Sequence, residues 1–85
     1  MNRVPAECFP PSEIIREELA ARGWDAEELA RRMGVGKTLV HLAVSGKLRI
    51  TPGLAERLET AFGSSADFWL NFQESWDQWR ERPLT

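Results

Sequence analysis

The sequence is poor in the residues from which most catalytic and metal sites are built. Its 85 residues include one cysteine, Cys8, one histidine, His41, and no tyrosine. A lone cysteine cannot form an internal disulfide, and one cysteine with one distant histidine does not make a metal site. Nucleophilic catalysis would need a base beside the nucleophile, which this spacing does not provide. We therefore expect no enzyme, no bound metal and no cofactor.

Long apolar runs are also absent. No stretch has the length of a membrane span or the pattern of a signal peptide, which together with the unpaired cysteine predicts a cytoplasmic protein. The composition, 42% hydrophobic and 28% charged, is that of a globular chain. A chain of this length suffices for one domain with a single core.

Acidic residues are missing from the middle of the chain. The segment Leu29 to Ala55 carries five basic residues and no acidic one (+5), whereas residues 1–28 carry three Arg against seven acids (−4) and residues 56–85 three Arg against six (−3). Because affinity for phosphates depends on local cations, this segment fits a DNA-binding face, although any solvated helix pair also carries charges. The five basic residues are Arg31, Arg32, Lys37, Lys47 and Arg49.

The segment 24–46 has the pattern of a helix-turn-helix. Asp25 is the predicted N-cap of its first helix, with Glu28 three residues later in a capping-box arrangement. We expect Gly34 to end this helix with a positive φ and Lys37 to begin the second helix. The predicted inward residues are Leu29, Ala30, Met33, Val35, Val40, Ala43 and Val44.

One helix is predicted before this motif. Residues 1–11 contain three prolines and are predicted to form an extended arm, in which Cys8 and Phe9 tuck against the body as an apolar latch. Ser12 is the predicted N-cap of helix 1, and Gly23 ends it. Its core-facing residues are Ile14, Ile15 and Leu19.

Two helices are predicted after the motif, with Ile50 buried in the connector that precedes them. Thr51 is the predicted N-cap of helix 4, which Gly63 ends, and Ser64 with Asp67 forms a second capping box at the start of helix 5. The predicted domain is therefore all-α, spans residues 12–82 and is followed by a tail at 83–85. The inward residues of helix 4 are Leu54, Leu58, Ala61 and Phe62.

Helix 5 carries an aromatic stripe. Phe68, Trp69 and Phe72 are assigned to the core, whereas Trp76 and Trp79 continue the stripe beyond the expected five-helix body. Tryptophan is enriched at protein interfaces. We therefore predict that Trp76 and Trp79, with Phe72 beside them, serve self-association or partner docking rather than folding back onto the domain.

Several stretches resemble the HigA-type antitoxins, or virulence-associated protein I group, of the Xre/lambda-repressor-like helix-turn-helix superfamily. They are PPSEIIREELAARGW, AEELARRMGV, SGKLRITPGLAERL and AFGSSADFWLNFQ, which cover most of residues 10–73. The resemblance implies a lambda-repressor-like fold and a homodimer that binds palindromic operator DNA in its own promoter. It also implies neutralisation of a ribosome-dependent mRNA-cleaving toxin of the HigB type.

The predicted recognition helix departs from the family pattern. Family members usually present Ser, Arg, Gln and Thr at its start, followed by Asn and Glu. The bidentate readout of bases by Arg or Gln is therefore lost here, and two leucines predicted to face outward could contact thymine methyls instead. The residues at the corresponding positions are Gly36, Lys37, Thr38 and Leu39, then His41 and Leu42.

Two interpretations follow from this departure. In the first, the chain is a DNA-binding antitoxin or autoregulator whose second helix reads the major groove while Lys47 and Arg49 contact phosphates. In the second, Leu39 and Leu42 bind a partner protein and specific DNA affinity is weak or absent. The candidate DNA-binding residues are Lys37, Thr38, Leu39, His41, Leu42, Ser45, Lys47 and Arg49.

Overall fold

Five helices make up the computed structural model, which describes residues 9–81. They are α1 (Pro11–Arg22), α2 (Ala26–Met33), α3 (Lys37–Val44), α4 (Pro52–Phe62) and α5 (Ala66–Glu81). No strand occurs in residues 9–81, so the predicted all-α, five-helix fold is confirmed. Within the same residues no helix is long and apolar enough to cross a membrane. Most of the predicted arm, including Cys8, and the predicted tail at 83–85 lie outside the described residues.

Helix α1 begins one residue before the predicted cap. Pro11 occupies the first turn, where its missing N–H is not needed, and Pro10 is the N-cap in an extended conformation. Ser12 therefore lies inside the helix and is only 6% exposed, so the prediction that it caps α1 is wrong. Phe9 is 51% exposed, so the predicted latch is also wrong for this residue.

The capping prediction for α2 holds in part. Asp25 Oδ1 accepts the N–H of Glu28 at 2.8 Å, as an N-cap does. The reciprocal bond of a capping box is missing, because the Glu28 carboxylate binds Arg31 and Arg32 instead. This pairing lowers the pKa of Glu28.

Helices α4 and α5 are capped by a threonine and a serine. Thr51 Oγ1 accepts the N–H of Leu54 at 3.2 Å, as predicted. At α5 the N–H of Phe68 donates to Ser65 Oγ at 3.1 Å. The prediction of Ser64 is therefore wrong by one residue, because α5 begins at Ala66 and Ser65 directly precedes it.

The core lies where the helices meet, and α5 contributes Trp69 to it. Trp69 is fully buried, with its ring 5.9 Å from that of Phe62, which stacks at 5.7 Å on Trp24. Phe68, assigned above to the core, is 40% exposed, because consecutive helical residues are about 100° apart and Trp69 takes the inward position. The buried residues include Ile15, Leu19, Leu29, Ala30, Met33, Val40, Ala43, Ile50, Leu54, Ala55 and Leu58.

Candidate nucleic-acid interface

Helices α2 and α3 are joined by a three-residue turn that requires glycine at its first position. Gly34 has φ +75°, and this conformation lets the N–H of Val35 bond to the C=O of Ala30 at 3.0 Å. A Cβ at position 34 would lie 3.2 Å from Nη1 of Arg57, and the same Nη1 donates to the C=O of Met33 at 3.2 Å. The turn is therefore fixed by its own backbone and by an arginine from α4.

Helix α3 divides its residues between core and solvent. Val40 and Ala43 are buried, at 0% and 4% exposure, and hold the helix against the body. Lys37, Thr38 and His41 are exposed, and none of these side chains forms a hydrogen bond or ion pair within residues 9–81. One face of α3 is thus occupied by packing, and its polar face is open to an external partner.

The two leucines of α3 lie in different environments. Leu42 is 37% exposed and extends the open face. Leu39 is half-buried and packs against the core, beside Val35 and Leu48 in a shallow apolar depression. The expectation that both face outward therefore holds for Leu42 and fails for Leu39, which lies one turn before the buried Ala43 on the same side of the helix.

The connector between α3 and α4 begins with a tight C-terminal turn. The hydroxyl of Ser45 donates to the C=O of Leu42 at 3.1 Å, and the N–H of Lys47 bonds to the same carbonyl at 3.0 Å. Gly46 has φ +84°, the left-handed conformation that such a turn needs. The turn leaves the Lys47 side chain exposed, with no ion-pair partner in the described part of the chain.

Arg49, in contrast, is paired with a residue of α5. Its two Nη atoms donate to Oδ1 and Oδ2 of Asp77 at 3.0 and 2.7 Å, the bidentate geometry in which arginine binds a carboxylate. Through this hydrogen-bonded pair the pKa of Asp77 is lowered and that of Arg49 is raised. The Arg49 side chain remains 62% exposed, so the pair lies at the surface.

A buried amide extends this pair into the body. Gln73 is 6% exposed; its Oε1 accepts the N–H of Ile50 at 2.8 Å, and its Nε2 donates to Asp77 Oδ1 at 2.9 Å. The connector is therefore fastened to α5 at two adjacent residues. Sequence reasoning missed Gln73 and Asp77, since their partners are 23 and 28 positions away along the chain and no local pattern links them.

Three of the five basic residues in the segment 29–55 are paired with carboxylates in the structure. Arg31 and Arg32 share the carboxylate of Glu28, and Arg49 binds Asp77. Exposed ion pairs of this kind are weak and can open to meet a phosphate. Lys37 and Lys47 are the basic residues of the segment that have no acidic partner within residues 9–81.

The second half of α5 carries partly exposed aromatic residues. The rings of Trp76 and Trp79 stack at 5.4 Å and 14°, and the guanidinium of Arg80 lies 5.9 Å from the Trp76 ring. One turn earlier, Phe72 is half-buried and contacts Phe68 edge to face at 5.7 Å. These four aromatic residues follow one another at helical spacing, and we call them the aromatic face.

In this all-α domain a glycine-containing turn joins two short helices, and the second helix has an exposed polar face. These features define the class of helix-turn-helix proteins. Residues 15–69 match the family model described as helix-turn-helix. The chain belongs to this family, on its HigA-like branch, which confirms the resemblance noted in the sequence.

Three relatives support this placement. Virulence-associated protein I of Dichelobacter nodosus is 38% identical over 77 residues, which are 89% of this chain and 69% of that protein. Antitoxin HigA-1 of Vibrio cholerae is 35% identical over 83 residues, 96% of this chain and 78% of that protein. The structure of an addiction module antidote protein of a HigA family from Coxiella burnetii superposes with a TM-score of 0.76 at 28% identity, over 92% of this chain and 98% of that chain.

Proposed function

We propose that this chain is a HigA-like antitoxin and autoregulator that binds operator DNA through the exposed face of α3. The observation that carries the proposal is that Lys37, Thr38 and His41 lie together on that face without partners inside residues 9–81. The names of the relatives support an antitoxin or regulator over the alternative in which α3 binds a protein. The proposal also includes a toxin partner, because the relatives are named as antitoxin and antidote proteins.

In this proposal the exposed residues of α3 contact the DNA bases. Lys37 can meet a guanine edge or a phosphate, Thr38 can hydrogen-bond a base, and Leu42 can contact a thymine methyl. His41, in the middle of the exposed face, can donate to a phosphate. Leu39 is half-buried, so its role in the proposal is to set the position of α3 rather than to read a base.

In this proposal the connector between α3 and α4 contacts the DNA phosphates. The ammonium group of Lys47 has no partner within residues 9–81, and Ser45 holds the end of the helix from which the connector departs. Arg49 is oriented by Asp77, so its guanidinium is presented at the surface in a defined position. Contacts of this kind fix the register of a protein on DNA without reading sequence.

The aromatic face is the proposed contact with a second copy. Phe72, Trp76 and Trp79 are each partly exposed, and aromatic residues are enriched in the buried centres of protein interfaces. A dimer that binds a palindromic site presents its two α3 helices to successive major-groove segments about 34 Å apart. Such a dimer matches the symmetry of operator DNA.

The test is an anisotropy titration against the chain's own upstream promoter and a scrambled duplex, at two salt concentrations. We expect a preference of about a thousandfold for the promoter and steep weakening with salt. Lys37→Ala should weaken promoter binding, and Leu42→Glu should abolish it. Ala20→Glu, which adds the same charge to an exposed position of α1, is the matched control and should bind normally.

Two results would contradict the proposal. Equal, weak binding to both duplexes would show that α3 does not read sequence. Unchanged binding in both Lys37→Ala and Leu42→Glu would show that another surface binds DNA.

A further inference from the structure

A cleft of about 160 Å³ lies between the start of α1, the α3–α4 connector and α5. Three cationic side chains line it, Lys47 and Arg49 from the connector and Arg80 from α5, and no carboxylate of the described residues does so. Asp77 pairs with Arg49 from outside the cleft. The Trp76 ring lies 5.9 Å from the Arg80 guanidinium and forms part of the wall.

The first turn of α1 adds backbone donors to this cationic cleft. Pro11 has no N–H, and the N–H of Glu13 bonds to the C=O of Pro10 at 3.0 Å. The N–H of Ser12 has no partner among the described residues. At the start of a 12-residue helix, such a donor carries the positive end of the helix dipole.

The hydroxyl of Ser12 is an independent sign of a ligand. Ser12 is 94% buried, lines the cleft, and its Oγ has no hydrogen-bond partner within residues 9–81. Gly46 lines the cleft beside it, and a Cβ at that position would stand 3.3 Å from Ser12 Oγ. The Oγ atom is reached from the cleft rather than sealed in the core, because it is not among the buried polar atoms of the described residues that lack a partner. A ligand in the cleft can therefore accept its hydrogen bond.

We propose that this cleft binds a phosphate oxyanion. The hydroxyl and N–H of Ser12 donate to its oxygens, while Lys47 and Arg80 supply the compensating charge. The volume accommodates several water molecules, and therefore a tetrahedral oxyanion. Because Lys47 follows the end of α3 by three residues, the phosphate source that fits is the DNA backbone. That source rests on the proposed function, whereas the oxyanion site itself does not.

The site is tested with inorganic phosphate against chloride at constant ionic strength, followed by amide chemical shifts in the full chain. We expect saturable shifts at Ser12, Gly46 and Lys47. Ser12→Ala and Arg80→Gln should each weaken the apparent affinity, the second by about tenfold, as expected for one charge-assisted hydrogen bond. Arg31→Gln removes the same charge outside the cleft and should leave the affinity unchanged.

The source of the phosphate is tested with duplex DNA. If the cleft holds a backbone phosphate, Arg80→Gln should reduce the slope of log affinity against log salt by about one. If the slope is unchanged while phosphate binding is weakened, the ligand is a free phosphate, and the oxyanion site stands without the DNA contact. Absence of saturable shifts in the unaltered chain, or unchanged phosphate affinity in both cleft variants, overturns the proposal even if DNA binds normally.

Discussion

Replacing Gln73 by methionine removes the buried amide that fastens the connector to α5. Gln73 Oε1 accepts the N–H of Ile50 at 2.8 Å, and Ile50 is only 4% exposed, so water cannot readily replace the acceptor. Methionine keeps the length of the side chain but leaves that N–H unpaired, at a cost of about 1–3 kcal/mol in the free energy of unfolding. For a domain of this size, this loss lowers Tm by about 4–24 °C.

The assay is thermal and urea denaturation followed by circular dichroism, together with hydrogen exchange at the Ile50 amide. Gln78→Met is the matched control, because Gln78 is exposed on the same helix and its one side-chain hydrogen bond within residues 9–81 goes to Glu74 at 3.4 Å. The control should stay within about 0.5 kcal/mol of the unaltered chain. If both variants lose the same stability, or if Gln73→Met loses none and Ile50 exchanges at its original rate, the reasoning is refuted.

Three further predictions concern caps, the turn and pH. Ser65→Ala should lower the free energy of unfolding by about 0.5–2 kcal/mol, while Ser64→Ala should not, and the opposite order would contradict the assigned cap. Gly34→Ala should cost about 1–2 kcal/mol in urea denaturation because alanine disfavours φ +75°, and no loss would argue against this turn. The pKa of Asp77 is lowered in the folded chain, so its stabilisation is present above the ordinary aspartate pKa and is lost as the pH falls through the lowered value. Thermal unfolding from about pH 6 to pH 2 should therefore show a steeper loss for the unaltered chain than for Asp77→Asn, and parallel profiles would count against the Arg49 pairing.

The five helices could be predicted from the sequence. Their N-cap residues could be predicted only where the sequence offered a single candidate for the cap. Asp25 and Thr51 each precede a periodic apolar run with no rival beside them, and both cap as predicted. Ser12 follows two prolines and Ser64 precedes a second serine. In both places, neighbouring residues could cap the helix with nearly the same local energy. Tertiary packing chose between them, and that choice is invisible to a pattern of a few residues.

The candidate site shows the same limit. Helical periodicity alone predicted that Val40 and Ala43 face the core and that the polar residues of α3 face solvent. Both predictions depend only on the spacing of residues within one helix. Periodicity could not foresee that Asp77 would bind Arg49 or that Leu39 would pack against the core, since such contacts join separate elements. Which candidate cations are free is therefore a property of the fold, not of the charge pattern.

The open face of α3 has an evolutionary consequence. Lys37, Thr38 and His41 form no side-chain hydrogen bond or ion pair within residues 9–81, so replacing them removes no such interaction from the folded body. Under the proposed function, operator preference can therefore drift at nearly constant folding stability. Duplicated copies of such a gene can diverge toward separate promoters one substitution at a time, without first acquiring compensating changes in the core.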